Sequence, residues 1–435
     1  MNLYFEHIYT VRERFDEALA AQGFDSVLIF AGQPAVAFLD DNAYPFRVNP
    51  FFKYWVPVTD SPKSFIFYEP GKEPQLFLFQ ARDFWHAQPV VPPGDWQEHV
   101  EVIPIDSKHI VGERVAKEFG KTAFIGESFD ALADWRIAAV NPEGLLHHLH
   151  YQRAKKTPYE VECMRKANVL AARGHLAAEA AFRNNQSELD IHHAYIQAMR
   201  VRETQLPYNS IVGLNEHGAI LHYDHYETEA PSTQRSFLID AGAYYNGYCA
   251  DITRTYSKEP QGFFAELIEA MDQAERDIID EIEVGRSYYD LHVATHHKIA
   301  KILHEFGFFK VDANTIYERG YSNAFFPHGL GHFIGLQVHD VGGYLKNPQG
   351  ESYARDSRHP FLRLRREIEP GHVFTIEPGL YVVDQLLEAF DGNEDFNWQR
   401  IAELRPYGGI RIEDSVHVTK NGVENLTRTA FDSLK

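Results

Sequence analysis

Four acidic residues and one histidine stand at the ends of short apolar runs in the second half of this chain: Asp240, Asp251, His332, Glu377 and Glu413. Each segment reads as a strand or strand end, so folding would draw these side chains toward a packed interior. Burying four carboxylates without cations costs far more than packing returns. Two divalent ions would balance them charge for charge, which makes a dinuclear hydrolase the first expectation.

Residues 236–240 are an apolar run that stops at Ala241-Gly242, and Asn246-Gly247 is a turn pair ahead of a returning strand over 248–256. A hairpin closed at that pair sets Asp240 opposite Thr253, with Asp251 on the same face one diagonal away. The run 373–377 ends at Pro378-Gly379, which places Glu377 at a strand terminus. In 409–413 the alternation puts Arg411 and Glu413 on one face. The glycine-rich stretch 327–340 permits close backbone approach and carries His328, His332 and His339.

At 435 residues the chain is too long for one ordinary core. Residues 1–152 alternate helical and strand-like stretches (helix 11–21; strands 26–30, 64–68, 75–79 and 122–126) and read as an α/β domain with a mixed sheet. No glycine-rich phosphate loop follows these strands, so nucleotide binding is unsupported. In the second domain, 153–435, helices over 187–203, 263–284 and 289–306 alternate with the ligand-bearing strands, which makes the chain α/β (α+β). The formal net charge of -20 argues against nucleic acid and against anionic membranes. Two cysteines, Cys163 and Cys249, point to a reducing cytoplasm, and neither a signal peptide nor a membrane span is read. The aromatic stretch with Tyr44, Phe51, Phe52, Tyr54 and Trp55 is expected at a pocket rim or interface, because Pro45 and Pro50 break up regular structure. His147, His148 and His150 read as a surface cluster, and His296 and His297 as structural histidines with no acidic match.

The five ligands in order, with Thr-Ile-Glu-Pro-Gly at 375–379 and Gly-Ile-Arg-Ile-Glu-Asp at 409–414, resemble the pita-bread metallopeptidases. That family includes methionine aminopeptidase, aminopeptidase P and prolidase. The length and the stretch 327–340 are most similar to bacterial Xaa-Pro dipeptidases, a subgroup with members called organophosphorus acid anhydrolases. Phe38-Leu39-Asp40-Asp41 and Tyr44-Pro45-Phe46 extend the likeness into the N-terminal half.

The oxygen-rich ligand set suits manganese, cobalt or zinc, and the resemblance tilts this to manganese. Two such ions would share a bridging hydroxide that attacks a carbonyl carbon. The resemblance implies that Glu377 is both ligand and proton shuttle, and that His339 hydrogen-bonds the substrate carbonyl. It implies that His222 and His328 contact the substrate, and that Arg411 supports the last metal ligand. It assigns Arg363 to the carboxylate of a C-terminal proline, a task suited to a planar guanidinium. Tyr208 and Tyr288 are expected as pocket walls, and Asp41 as a group reaching the substrate amine from a partner subunit in a homodimer. The expected substrates are dipeptides with C-terminal proline, with hydrolysis of organophosphate triesters as a side activity. An aminopeptidase P-type exopeptidase and an inactive pita-bread peptide-binding protein are the alternatives.

Overall fold

Asn2 opens the first helix, Leu3–Gln22, by accepting the Tyr4 backbone N–H, and Gly23 closes it in the left-handed conformation at φ 66°. This is a computed structural model, and it describes residues 2–80, 82–85, 87, 91–118 and 120–435. The chain divides into two units.

The first unit comprises Met1–Cys163 with Asn246–Tyr248 and Leu345–Ser352. Its strands are β1 (Ser26–Phe30), β2 (Phe65–Tyr68), β3 (Gln75–Phe79), β4 (Glu101–Ile105), β5 (Thr122–Ile125) and β6 (Ala139–Val140). They form one mixed sheet in the order β4-β3-β2-β1-β5-β6, with β1 antiparallel to β2 and parallel to β5. Every residue of β1 is buried, which is why it reads as a continuous apolar run rather than an alternating one. Phe30, Phe65, Phe77, Phe124, Phe129 and Trp135 share one cluster of its core with Val111 and Val115.

Here the structure corrects the reading of the aromatic stretch. Pro50 does not break an element but begins the helix Pro50–Trp55, where its missing N–H is no loss. Phe51, Phe52, Tyr54 and Trp55 are therefore core, and Trp55 packs between Phe15 and Tyr68. Only Tyr44 of that group is exposed.

The second unit, Met164–Tyr245, Cys249–Tyr344 and Tyr353–Lys435, is built around two three-stranded antiparallel sheets, with two-stranded ribbons beside them. One contains β7 (Ile211–Leu214), β8 (Ser236–Asp240) and β11 (Thr253–Ser257), in the order β11-β8-β7. The short strands β9 (Ala243–Tyr245) and β10 (Tyr248–Ala250) form a ribbon closed by Asn246 (φ 50°) and Gly247 (φ 86°), the two positive angles of a type I′ turn. The other sheet joins β12 (Val373–Ile376), β15 (Asp414–Thr419) and β16 (Gly422–Asn425), and β13 (Gly379–Tyr381) pairs with β14 (Gly409–Arg411). The helix Pro158–Arg183 contributes Ala167, Ala171, Ala178 and Phe182 to one core cluster with Val212, Phe237 and Ile239. The helix Phe263–Asp280 buries the stripe Phe264, Leu267, Met271, Ala274 and Ile278. Ile299 and Leu303 of the helix Tyr288–Glu305 join part of that stripe in a second cluster.

The expected hairpin register holds: Thr253 pairs with Asp240. The returning strand is not continuous, however. It breaks at Asp251-Ile252, between β10 and β11, and Asp251 is presented from that interruption.

Candidate active site

The ends of β8, β12 and β14 and the break before β11 bring their polar residues to one cleft of about 330 Å³. Asp240, Asp251, His332, Glu377 and Glu413 all line it, together with His222, His328, His339, Arg363 and Arg411. Glu377 points there because Pro378 cannot continue the ladder of β12.

His332 donates from Nδ1 to the Phe333 carbonyl at 3.0 Å, which turns Nε2 toward the carboxylates. That nitrogen faces Asp251 at 3.5 Å and Glu377 at 3.6 Å. Donor atoms of Asp251, His332 and Glu413 all lie within 4.8 Å of one another. Close packing sets the His332 segment. A Cβ built on Gly331 would collide with the Thr375 carbonyl and the Tyr288 hydroxyl.

The surrounding hydrogen bonds aim the carboxylates. Arg411 donates to Asp240 at 2.7 Å, to Tyr381 Oη at 2.9 Å and to Thr253 Oγ1 at 3.2 Å. Thr253 Oγ1 in turn donates to Glu413 at 2.7 Å. The Tyr208 hydroxyl lies between Asp240, at 2.7 Å, and Asp251. His328 holds the Gly329 carbonyl through Nδ1 at 2.8 Å and accepts the Tyr381 hydroxyl on Nε2 at 2.9 Å. Tyr381, Thr253 and Leu221 were missed by sequence reasoning. Thr253 carried a signal, since the predicted register already set it opposite Asp240, whereas Tyr381 has none until β13 is paired with β14.

Two expected pocket residues sit elsewhere. Tyr288 is fully buried behind the site and donates to the Thr375 carbonyl at 2.7 Å, so it supports the wall without forming it. Tyr208 stands at the carboxylates and does not line the cleft. Asp41 is an exposed residue of the sheet unit, in a turn whose backbone donates to Asp40.

Electrostatics describe a site short of positive charge. Burial raises the Glu377 carboxyl to about 7. It also raises Glu413, where the charge of Asp251 adds to the effect, and Asp240, where Arg411 offsets part of it. Asp251 moves the other way: burial is outweighed by hydrogen bonding to His332. Burial depresses both His328 and His339 to about 3, so both are neutral imidazoles near pH 7. Three carboxylates that resist ionising, beside a fourth that faces an imidazole nitrogen, fit hard divalent cations, which would take the place of the proton on that nitrogen.

Known proteins agree with this chemistry. Residues 2–151 match the family described as Xaa-Pro dipeptidase, N-terminal domain, and residues 162–420 match metallopeptidase family M24. The chain belongs to metallopeptidase family M24. This M24 protein is 59% identical over 436 residues to Xaa-Pro dipeptidase 2 of Idiomarina loihiensis, covering 100% of this chain and 99% of that one. It is 46% identical over 432 residues to the Xaa-Pro dipeptidase of Xanthomonas campestris pv. campestris, covering 99% and 98%. Its fold, an α/β N-terminal domain followed by a pita-bread catalytic domain, is shared with aminopeptidase P from E. coli solved with the inhibitor Pro-Leu (TM-score 0.73, 23% identity, 96% and 95% covered). The Pseudomonas aeruginosa aminopeptidase PepP is similar to the same degree (TM-score 0.74, 24% identity, 98% of both chains). M24 membership makes the protein an enzyme, a peptidase that works with divalent metal ions. No helix among the described residues is long and apolar enough to cross a membrane.

Proposed function

We propose that this protein is an Xaa-Pro dipeptidase that hydrolyses dipeptides ending in proline, with two divalent cations held by Asp240, Asp251, His332, Glu377 and Glu413. The observation that carries this reading is the meeting of five such donors in a cleft that also exposes a guanidinium, Arg363. The names of the relatives point to the same activity. Manganese is the proposed ion, with cobalt and zinc as substitutes, because the donors are four carboxylates to one imidazole.

When bound, the cations supply an activated water near neutral pH and polarise the scissile carbonyl. The residues of the chain do the rest. Glu377, at the end of β12 with its carboxylate in the cleft, is suited to taking a proton from water and passing it to the leaving prolyl nitrogen. His339, neutral and at the mouth of the cleft, is the donor for the oxygen that gains charge. His328 is oriented by Tyr381 and lies 3.7 Å from Glu377, where it steadies the shuttle. Arg411 holds Asp240 in place. Arg363 clamps the terminal carboxylate, a charge that a dipeptide presents next to the cut. His222 and the exposed ring of Phe361 frame the prolyl side.

Comparison of Leu-Pro and Gly-Pro with Leu-Pro-Gly, with and without added Mn2+, tests this directly. Metal-dependent cleavage of the dipeptides alone is expected. Equal cleavage of the tripeptide would move the protein to aminopeptidase P-type activity, and no turnover despite bound metal would leave a peptide-binding protein. The proposed setting is the cytoplasm. We further propose that residues 1–152 pair two chains and that Asp41 reaches the substrate amine from the partner subunit. Sedimentation should then give about twice the 50.0 kDa chain mass, and a monomer with full activity would refute the pairing.

A further inference from the structure

His292, His296 and His359 form a second group of metal-ligand side chains, built without any carboxylate. His292 and His296 are four residues apart on the helix Tyr288–Glu305 and so share a face, and His359 comes to them from the loop that follows Asp356. All three are at most 4% exposed. Their ring centroids lie 4.4–4.8 Å apart, and one donor nitrogen from each falls within 4.8 Å of the others.

The hydrogen bonding leaves this group unfinished. His296 Nδ1 meets Ser322 Oγ at 3.0 Å, which orients the ring and reserves the Nε2 lone pair for a ligand when Nδ1 carries the proton. His292 Nδ1 and His359 Nε2 are buried with no hydrogen-bond partner. Buried polar nitrogens without partners are costly, and three histidines gathered that way need a reason. A packing role alone would be served better by apolar rings such as Phe326, which lies 5.0 Å from His296. Burial keeps all three imidazoles in the neutral form, the one that binds metal, and repulsion from neighbouring histidines adds to it at His292 and His296. Zinc bonded at 2.0–2.1 Å would draw the three nitrogens to about 3.4 Å apart, within reach of side-chain rotation.

We propose that His292, His296 and His359 form an additional metal site, separate from the carboxylate-lined cleft, for an imidazole-preferring ion of the Zn2+ class. Three neutral nitrogens select against Mn2+ and Ca2+ and in favour of zinc, nickel or copper. The site would fasten the helix to the loop that carries Phe361 and Arg363 into the cleft. Its occupancy would therefore set how firmly that wall is held.

The test uses the full-length protein loaded with Mn2+, freed of excess ion and titrated with Zn2+, with both metals counted by mass spectrometry. One Zn2+ per chain beyond an unchanged Mn2+ content is expected, and His296→Gln and His359→Gln should each lose that ion while keeping Mn2+. No extra Zn2+, zinc gained only as Mn2+ is lost, or equal uptake by both variants would overturn the proposal. Equal uptake would place the ion elsewhere, for instance on His147 and its neighbours. Should the variants fail to fold, the zinc X-ray absorption of the unmutated protein decides. Three imidazoles around each ion support the site, and an oxygen-rich shell with one imidazole refutes it.

Discussion

Arg363 and Arg411 show how differently one residue type is used within a few ångströms of the same cleft. Arg411 is buried and its guanidinium is committed to Asp240, Tyr381 and Thr253, so it shapes the site. Arg363 is exposed at the cleft wall between the buried Leu362 and Leu364, which hold its backbone and leave its charge available. Arg363→Ala should raise KM for Leu-Pro and lower kcat/KM about 10- to 100-fold, the value of a charge-assisted hydrogen bond. Leu-Pro amide, which lacks the carboxylate, should be turned over equally by variant and parent. A variant that lost both substrates alike would show that the arginine does not read the anion.

At the scale of elements, the site depends on how closely the 327–340 segment lies against β12. Backbone bonds run from Thr375 N to the His332 carbonyl at 2.9 Å and from Glu377 N to the Leu330 carbonyl at 2.8 Å, so two cleft residues are set by one pairing. Gly331→Ala would drive a methyl group into the Thr375 carbonyl and force that pairing open. We expect a loss of about 1–3 kcal/mol in chemical denaturation, as for other overpacked sites, together with weaker metal binding. Unchanged metal affinity in a destabilised variant would mean that His332 does not depend on this contact.

The same scale explains what was legible beforehand. The Asp240–Thr253 register followed from a turn pair and a period of two, both local properties, and Glu377 followed from Pro378. The interruption at Asp251 was not legible, because the stretch around it keeps its β-propensity and only tertiary partners (Tyr208 and His332) hold the carboxylate out of line. Pro50 was misread because proline breaks a helix only in the interior, and the local mark of a first turn, Asn49 as a cap directly before it, was overlooked. His359 could not be linked with His292 and His296, since no periodicity connects a loop residue to a helix so far along the chain.

For the whole molecule, metal removal and pH should act together on stability. Glu377 has a folded pKa near 7, above the ordinary carboxylate range, so the folded state holds its proton more tightly than the unfolded chain does. Glu413 and Asp240 shift in the same direction, and Asp251 opposes them only at the acid end. That contribution is present in full below the unfolded carboxylate range and disappears as pH rises to about 7. The buried neutral imidazoles, His328 and His339 among them, act the opposite way and gain stability as pH rises through the histidine range, so the carboxylate share is read by difference: chelated Glu377→Gln should lose less stability, or gain more, from pH 5.5 to pH 8 than the chelated parent. Mn2+ at a hundredfold its Kd should return about 2.7 kcal/mol and remove most of the carboxylate share of the pH dependence. Thermal melts of the chelated parent and the chelated variant check this, and the same pH dependence in both would contradict it.

The five donors reach the cleft from separate stretches: the end of β8, the break before β11, the segment around Gly331, the end of β12 and the residue that bridges to Thr253. The full set spans residues 240–413, so a segment lacking either end of that range is short of at least one donor. Completing the cation cage thus waits on tertiary assembly, a clasp fastened once both sheets have found each other.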